Sequence, residues 1–345
     1  MKKSMMVLAA ACAVGIASAA GAAELKVGGK APALHIDKWL QGDPIDLSAA
    51  KSDDIYVVEF WATWCGPCKM SIPHMSEMQD HFKSFKKRNV HFIGISDEKS
   101  KVVRAFLKDG WSEKMRYTVA IDKKGKTNKA WMKAAGQNGI PTAFVVQGGQ
   151  VKWIGHPMDG LDIQVGELVG DKAYVKEAKQ FNKLQTELMT HLQASEWKKA
   201  LASANAVLAL RPNEHRTALM KFQVLATKIK DTGAATKFGY KMVAGCDDAQ
   251  MLNEFAWSLL TEEDYADARD LKLALKGAKK AVDLSHEKDA GILDTYARAL
   301  ADSGDLTGAI EWQKKALKAS KEGSRMRPGI EKALKEYEDK AAQGA

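Results

Sequence analysis

Two cysteines with two residues between them, in the run Trp64-Cys65-Gly66-Pro67-Cys68, constrain this chain of 345 residues more than any other stretch. Ahead of them Ile55-Tyr56-Val57-Val58-Glu59-Phe60-Trp61-Ala62 is almost wholly apolar and reads as a buried strand. Behind them Lys69 to Lys87 reads as a helix, which Pro73 should kink because it lacks an N–H. The thiols therefore fall at a strand-to-helix junction, with Cys65 expected exposed at the helix N-terminus and Cys68 one turn in. Unpaired backbone N–H groups at such a terminus favour negative charge. The Cys65 thiolate is thereby favoured over its thiol, and its pKa is expected to fall. Cys68 is near enough to close a small disulfide ring with it, which is the chemistry of a dithiol that exchanges electrons with other disulfides.

The run Trp64 to Lys69, with Pro73 five residues past the second cysteine, resembles the thioredoxin fold. A second mark lies far downstream, where Gly139-Ile140-Pro141-Thr142 leads into the apolar Ala143-Phe144-Val145-Val146. The spacing of the two marks, with Ser96-Asp97 and Ile121-Asp122 between them, is similar to the exported TlpA/ResA-like disulfide reductases. That resemblance spans about Lys26 to Val169. It implies a cis Pro141 facing the dithiol, with the Ile140 backbone beside Cys65 so that an extended substrate can pair with it. It also implies that the proline keeps metal off the sulfurs, so no metal or cofactor is expected. Trp64, Gly66, Pro67 and Gly155 are the expected groove walls, and Trp61 is expected in the core.

Expelling substrate needs Cys68 deprotonated, although burial raises a thiol's pKa. Glu59 is the candidate base. Strand alternation puts it on one face with Val57 and Trp61, under the helix. Thioredoxin has a buried acid at the matching position, and Glu59 resembles it. A lone buried acid is costly without a task; the alternative is a carboxylate at a surface edge. The exported reductases often carry a glutamate three residues past the second cysteine, where this chain has Ser71. The departure implies proton handling closer to that of thioredoxin, by way of Glu59. The Gly-Pro pair resembles reducing thioredoxin rather than the strong periplasmic oxidants, which points to a reductase. In an oxidising compartment such a protein needs electrons from a membrane-bound donor.

The start of the chain reads as an export leader over residues 1–23. Lys2 and Lys3 precede an apolar run from Met5 to Ala19, and cleavage is expected after Ala22 or Ala23. A periplasmic or secreted protein follows. The formal charge of +9 falls by two, to +7, when Lys2 and Lys3 leave. No basic block is interleaved with aromatics, which argues against nucleic acid. Beyond the leader the cysteines are Cys65, Cys68 and Cys246, too few for a disulfide framework. Cys246 reads as a small buried apolar residue, with a regulatory thiol as the alternative. His74 and His81 lie seven apart on the dithiol helix, but the cysteine spacing argues against zinc. Met70, Met75 and Met78 read as core or groove packing.

Two domains are expected. Residues 24–170 alternate strands and helices, giving an α/β thioredoxin-like domain with a mixed central sheet flanked by helices. It should open on a hairpin, Leu34 to Leu40 with Ile45 to Leu47, and later carry a helix capped at Ser96-Asp97 and a hairpin at Gly148-Gly149. From residue 171 to 345 the pattern is all helical. Ile292 to Leu300, Ser303-Gly304-Asp305, Ala309 and Lys315-Ala316-Leu317 together resemble a tetratricopeptide repeat. A stretched copy runs from Leu252 to Val282 with about six extra residues around Glu262 to Arg269; a third runs from Leu188 to Arg211-Pro212, and a weaker one fills Asn213 to Gly245. Such repeats stack around a concave face for a peptide or protein partner; a plain helical bundle is the alternative.

The expected activity is thus disulfide reduction on a disulfide-bearing protein. An adaptor with a non-essential redox domain, and an isomerase or oxidase, remain open. A thiol peroxidase fits poorly, because Asp54 to Trp64 contains no proline of the Pro-x-x-x-Thr-x-x-Cys setting.

Overall fold

The computed structural model describes residues 24–49, 51–83 and 88–343. The expected leader, and the end of the expected dithiol helix at 84–87, lie outside the described residues. The chain divides into two compact units, one reaching to Ala178 and the other running from Lys179.

The first unit is a thioredoxin-like mixed sheet with helices. Its strands are β1 (Ile36–Gln41), β2 (Ile55–Phe60), β3 (Val90–Ser96), β4 (Thr118–Asp122), β5 (Thr142–Gln147) and β6 (Gln150–Gly155). They lie in the order β1-β4-β3-β2-β5-β6. β2, β3 and β4 run parallel, and β1, β5 and β6 pair antiparallel with their neighbours. Every residue of β2 is buried, as a strand covered on both faces requires. On one face Ile55, Val57 and Trp61 pack with Ile72, Met75, Met78 and Phe82 of helix α1 (Gly66–Lys83). On the other, Tyr56, Val58 and Phe60 pack with Phe144, Trp131 and Met132.

Helix α2 (Ser100–Phe106) runs on through a wider turn, Leu107–Trp111, into the single turn α3 (Ser112–Lys114). Asp109 and Gly110 leave helical geometry inside that turn. A second single turn, α4 (Lys126–Asn128), leads to Lys129–Lys133, which carries the buried Trp131. Helix α5 (Leu161–Val169) follows β6. Gly148 and Gly149, at φ 58° and 71°, make the expected hairpin turn, a conformation that glycine adopts without a Cβ clash.

Two local expectations are corrected. The Ile45 to Leu47 stretch is no strand, and β1 pairs instead with β4. Asp46 Oδ1 accepts from both the N–H and the hydroxyl of Ser48, and Leu47–Ala49 forms a 3-10 turn there. Nor do Ser96 and Asp97 cap α2, whose N-cap position is Lys99. Ser96 Oγ is engaged with Glu98 instead.

The second unit is helical: α6 (Lys172–Gln193, which begins in the first unit), α7 (Trp197–Leu210), α8 (His215–Gln223), α9 (Thr232–Gly245), α10 (Ala249–Thr261), α11 (Leu271–Leu284), α12 (Ala290–Asp302), α13 (Leu306–Ala319) and α14 (Arg327–Gln343). α9 to α13 each start on an aspartate, Asp231, Asp248, Asp270, Asp289 or Asp305, whose carboxylate accepts a backbone N–H two or three residues on. Such caps satisfy donors that the first turn leaves unpaired. Ala256, Ala274, Ala281, Ala297, Ala309 and Ala316 are all buried where successive helices pack. The extra residues after α10 form a 3-10 helix, Glu263–Ala268, whose Tyr265 stacks on Phe222. Among the described residues no helix is long and apolar enough to cross a membrane.

Candidate active site

The turn from β2 into α1 carries the dithiol. Cys65 O accepts from Lys69 N–H, the first bond of the helix, so Cys65 stands at the cap position. Its Sγ accepts the N–H of Cys68 at 3.1 Å, as the side-chain oxygen of a capping residue does. A sulfur so placed meets the positive end of the helix and an orphan donor together, which stabilises a thiolate. Pro67 sits in the first turn, where its missing N–H leaves no helical bond unmade. Cys65 and Cys68 are joined in a disulfide, with their Cα atoms 5.3 Å apart.

Cys65 is not exposed as expected: only 3% of its surface is accessible, and Cys68 is fully buried. The reason is the direction of its Sγ, which is bonded to the deeper Cys68 and lies 3.7 Å from Ile140 O. Ile140-Pro141 is a cis peptide, and Thr142 Oγ1 donates to Gly139 O at 2.8 Å. The expected neighbours Cys65 and Ile140 are therefore together. Around them Gly66 and Pro67 are exposed, and Trp64 and Met70 are 73% and 55% accessible. Trp61 is in the core, as are Met75 and Met78. Gly155 lies at the end of β6 opposite Ala143, with the Trp153 ring against its Cα.

Glu59 sits in the middle of β2, paired with Gly94 on one side and Ala143 on the other, and is fully buried. Tyr117 OH donates to its Oε2 at 2.7 Å, and Ser71 Oγ donates to its Oε1 at 3.2 Å. Ser71 Oγ is also 3.0 Å from Cys68 O, so the acid stands one side chain from the turn that carries the inner cysteine. Burial pushes the Glu59 carboxyl up to about 7, against the lowering effect of the two hydroxyl donors. A group titrating there suits proton transfer near neutral pH.

Sequence reasoning missed Tyr117 and Glu98. Glu98 accepts from Thr63 N–H at 2.6 Å and from Thr63 Oγ1 at 2.8 Å, which anchors the loop just ahead of the cysteines. Its only sequence signal is its position past the C-terminal end of β3, the end of a sheet where α/β sites gather. Tyr117 gives no local signal, since its ring reaches Glu59 across the intervening strand β3. Gly94 opens that route. A Cβ there would stand 2.5 Å from Met115 Cε, 2.9 Å from Trp61 Nε1 and 3.1 Å from Tyr117 Cε2. Gly94→Ala is expected to destabilise the protein by about 1–3 kcal/mol through overpacking, read as a lower denaturation midpoint. A midpoint equal to that of the parent would mean that the Tyr117 ring has room to spare.

His74 and His81 hold no metal cluster with other ligands among the described residues. His81 Nε2 lies 3.0 Å from Asp171 Oδ2, and its ring stacks on Tyr174. Cys246 is buried and free, and burial pushes its thiol up to about 11.

Protein FixW of Rhizobium leguminosarum is 32% identical over 144 residues, 39% of this chain and 62% of FixW. Thiol-disulfide oxidoreductase ResA of Bacillus thuringiensis subsp. konkukian is 30% identical over 124 residues, 36% of this chain and 65% of that protein. A solved structure, described as a putative thiol:disulfide interchange protein DsbE from Chlorobium tepidum, is 28% identical with a TM-score of 0.34, covering 42% of this chain and 99% of that one. The chain spans less than two thirds of the length of these curated relatives. Residues 27–154 match the model of the AhpC/TSA family. That segment, which holds both cysteines, Glu59 and Pro141, is thioredoxin-like and has proteins named thiol-disulfide oxidoreductases among its homologues.

Proposed function

We propose that the protein is an exported thiol-disulfide oxidoreductase that reduces disulfides in protein substrates through Cys65 and Cys68, with Glu59 as proton acceptor. The observation that carries the reading is a capping sulfur, Cys65 Sγ, bonded to an inner cysteine whose turn rests on a buried carboxyl titrating near neutrality. In the reduced protein the Cys65 thiolate attacks a substrate disulfide and forms a mixed disulfide, while one substrate sulfur leaves as thiolate. Cys68 then gives its proton to Glu59 and attacks Cys65 Sγ. The bond from Cys65 to substrate breaks, the second substrate sulfur leaves, and the Cys65–Cys68 disulfide remains. Two electrons have passed to substrate, so a membrane-bound dithiol donor is needed to restore the pair. Ile140 and Pro141, with Trp64, Gly66, Pro67 and Gly155 around them, form the groove for an extended peptide. The helical unit acts as tetratricopeptide-type repeats that recruit a peptide or protein partner, a role that its capped helices and buried alanines suit.

Direction is tested by the reduction potential of the Cys65–Cys68 pair. A value near about −270 mV, where thioredoxin lies, is expected; one near about −120 mV would make the protein an oxidant.

A further inference from the structure

Among the described residues the partners of the buried Glu59 carboxyl are two hydroxyls, Tyr117 and Ser71, and neither is a cation. We infer that Tyr117 and Ser71 are positioning residues that set where Glu59 takes up its proton, and that Ser71 passes its single hydrogen between Glu59 and the Cys68 carbonyl as that proton comes and goes. The inference rests on the dithiol reading and extends it.

The geometry is a closed chain of buried groups. Tyr117 OH is 2.7 Å from Glu59 Oε2, Ser71 Oγ is 3.2 Å from Glu59 Oε1, and Ser71 Oγ is 3.0 Å from Cys68 O. Tyr117, Glu59, Ser71 and Cys68 are all nearly inaccessible to solvent. Among the described residues no titratable side chain besides Tyr117 hydrogen-bonds the Glu59 carboxyl. Against Glu59, β3 presents Gly94 and β5 presents Ala143. Helix α1 presents Cys68 and Ser71, and the lead into β4 presents Tyr117. Helix α5 packs Leu161 and Val165 on this face, and its buried acid, Asp162, accepts from Ile163 N–H.

The two hydroxyls differ in kind. Burial and the adjacent carboxylate hold the Tyr117 phenol well above its usual range, so it remains a donor at any working pH. A serine hydroxyl has one hydrogen and two lone pairs. It cannot donate to Glu59 and to Cys68 O at once. With Glu59 ionised, Ser71 donates to Oε1. With Glu59 protonated on Oε1, the acid donates to Ser71 Oγ and Ser71 donates to Cys68 O. The proton lost by the Cys68 thiol is the one gained by Glu59, and it returns to Cys68 when the disulfide is next reduced. Every state of the cycle then leaves the buried oxygens of Glu59 and Ser71 hydrogen-bonded, which avoids the cost of an orphaned polar group. This gives Ser71 a task at the position where the exported reductases often carry a second acid.

The test is a carbon-13 NMR titration of the Glu59 carboxyl in the oxidised protein. Wild type is expected to titrate at about 7. Tyr117→Phe and Ser71→Ala each remove a donor that favours the carboxylate, so each should move the midpoint up by about one pH unit. Ser71→Thr, which keeps the hydroxyl, should return it to the wild-type value. The resolution rate of a Cys65 mixed disulfide should show the same displaced midpoint, and Glu59→Gln should remove that step from the profile. A midpoint unmoved in both donor variants overturns the inference and leaves the dithiol reading intact. A carboxyl midpoint that moves while the resolution profile stays in place also overturns it. If wild type resolves no mixed disulfide at any pH, the dithiol reading fails and takes the inference with it.

Discussion

Replacing Cys65 with serine is expected to reduce the rate of insulin disulfide reduction to that of the uncatalysed reductant. The attacking group is the sulfur at the cap of α1, and a serine hydroxyl there is neither ionised near neutral pH nor able to form a disulfide. Cys68→Ser should give a different loss. The first attack still occurs, because Cys65 keeps the Cys68 N–H and the helix terminus. The second cannot, because the sulfur that expels substrate is gone. Substrate should therefore accumulate on the protein as a mixed disulfide, about one per molecule, visible by non-reducing electrophoresis. The double variant should be inactive. Full function in the double variant would instead favour an adaptor whose helical unit does the work.

The second large effect is on stability, and it opposes the first in sign. Glu59 titrates at about 7 in the folded protein against 4.5 for an ordinary glutamate. The folded state therefore binds the proton more tightly than the unfolded state does. Stability attached to this group is fully present below about pH 4.5 and falls as pH rises through about 7. The displacement corresponds to about 3 kcal/mol at full ionisation. Glu59→Gln removes the dependence, since an amide of the same shape still accepts from Tyr117 through its oxygen while its NH2 donates to Ser71 Oγ, which then donates to Cys68 O. The oxidised variant should be more stable than wild type by about that amount at about pH 8, and nearly equal to it at about pH 4. Chemical denaturation at the two pH values reads the difference. At neutral pH the same variant should resolve its mixed disulfide more slowly, for lack of a proton acceptor. A site that gives up stability to hold a useful charge is a common trade. Equal stabilities at both pH values would mean that Glu59 is not held near neutrality.

What the linear chain determined was whatever depends on neighbours in sequence. An apolar run sets β2, the Gly-Pro spacing sets the first turn of α1, Gly148-Gly149 sets a hairpin, and aspartates ahead of apolar periodicity set the starts of α9 to α13. Strand alternation groups Glu59 on one face with Val57 and Trp61, and the fold sets that face against α1. Tertiary structure alone decided the rest. Which strand pairs with β1 is a contest between distant segments, and β4 wins it over the nearby Ile45 to Leu47. The burial of Cys65 follows from where the chain returns 75 residues later, at Ile140. Tyr117 meets Glu59 across 58 residues, and Glu98 meets Thr63 across 35. A side chain's charge state and partners depend on what surrounds it in space, and a dielectric environment or a hydrogen-bond donor arriving from another strand has no local signature.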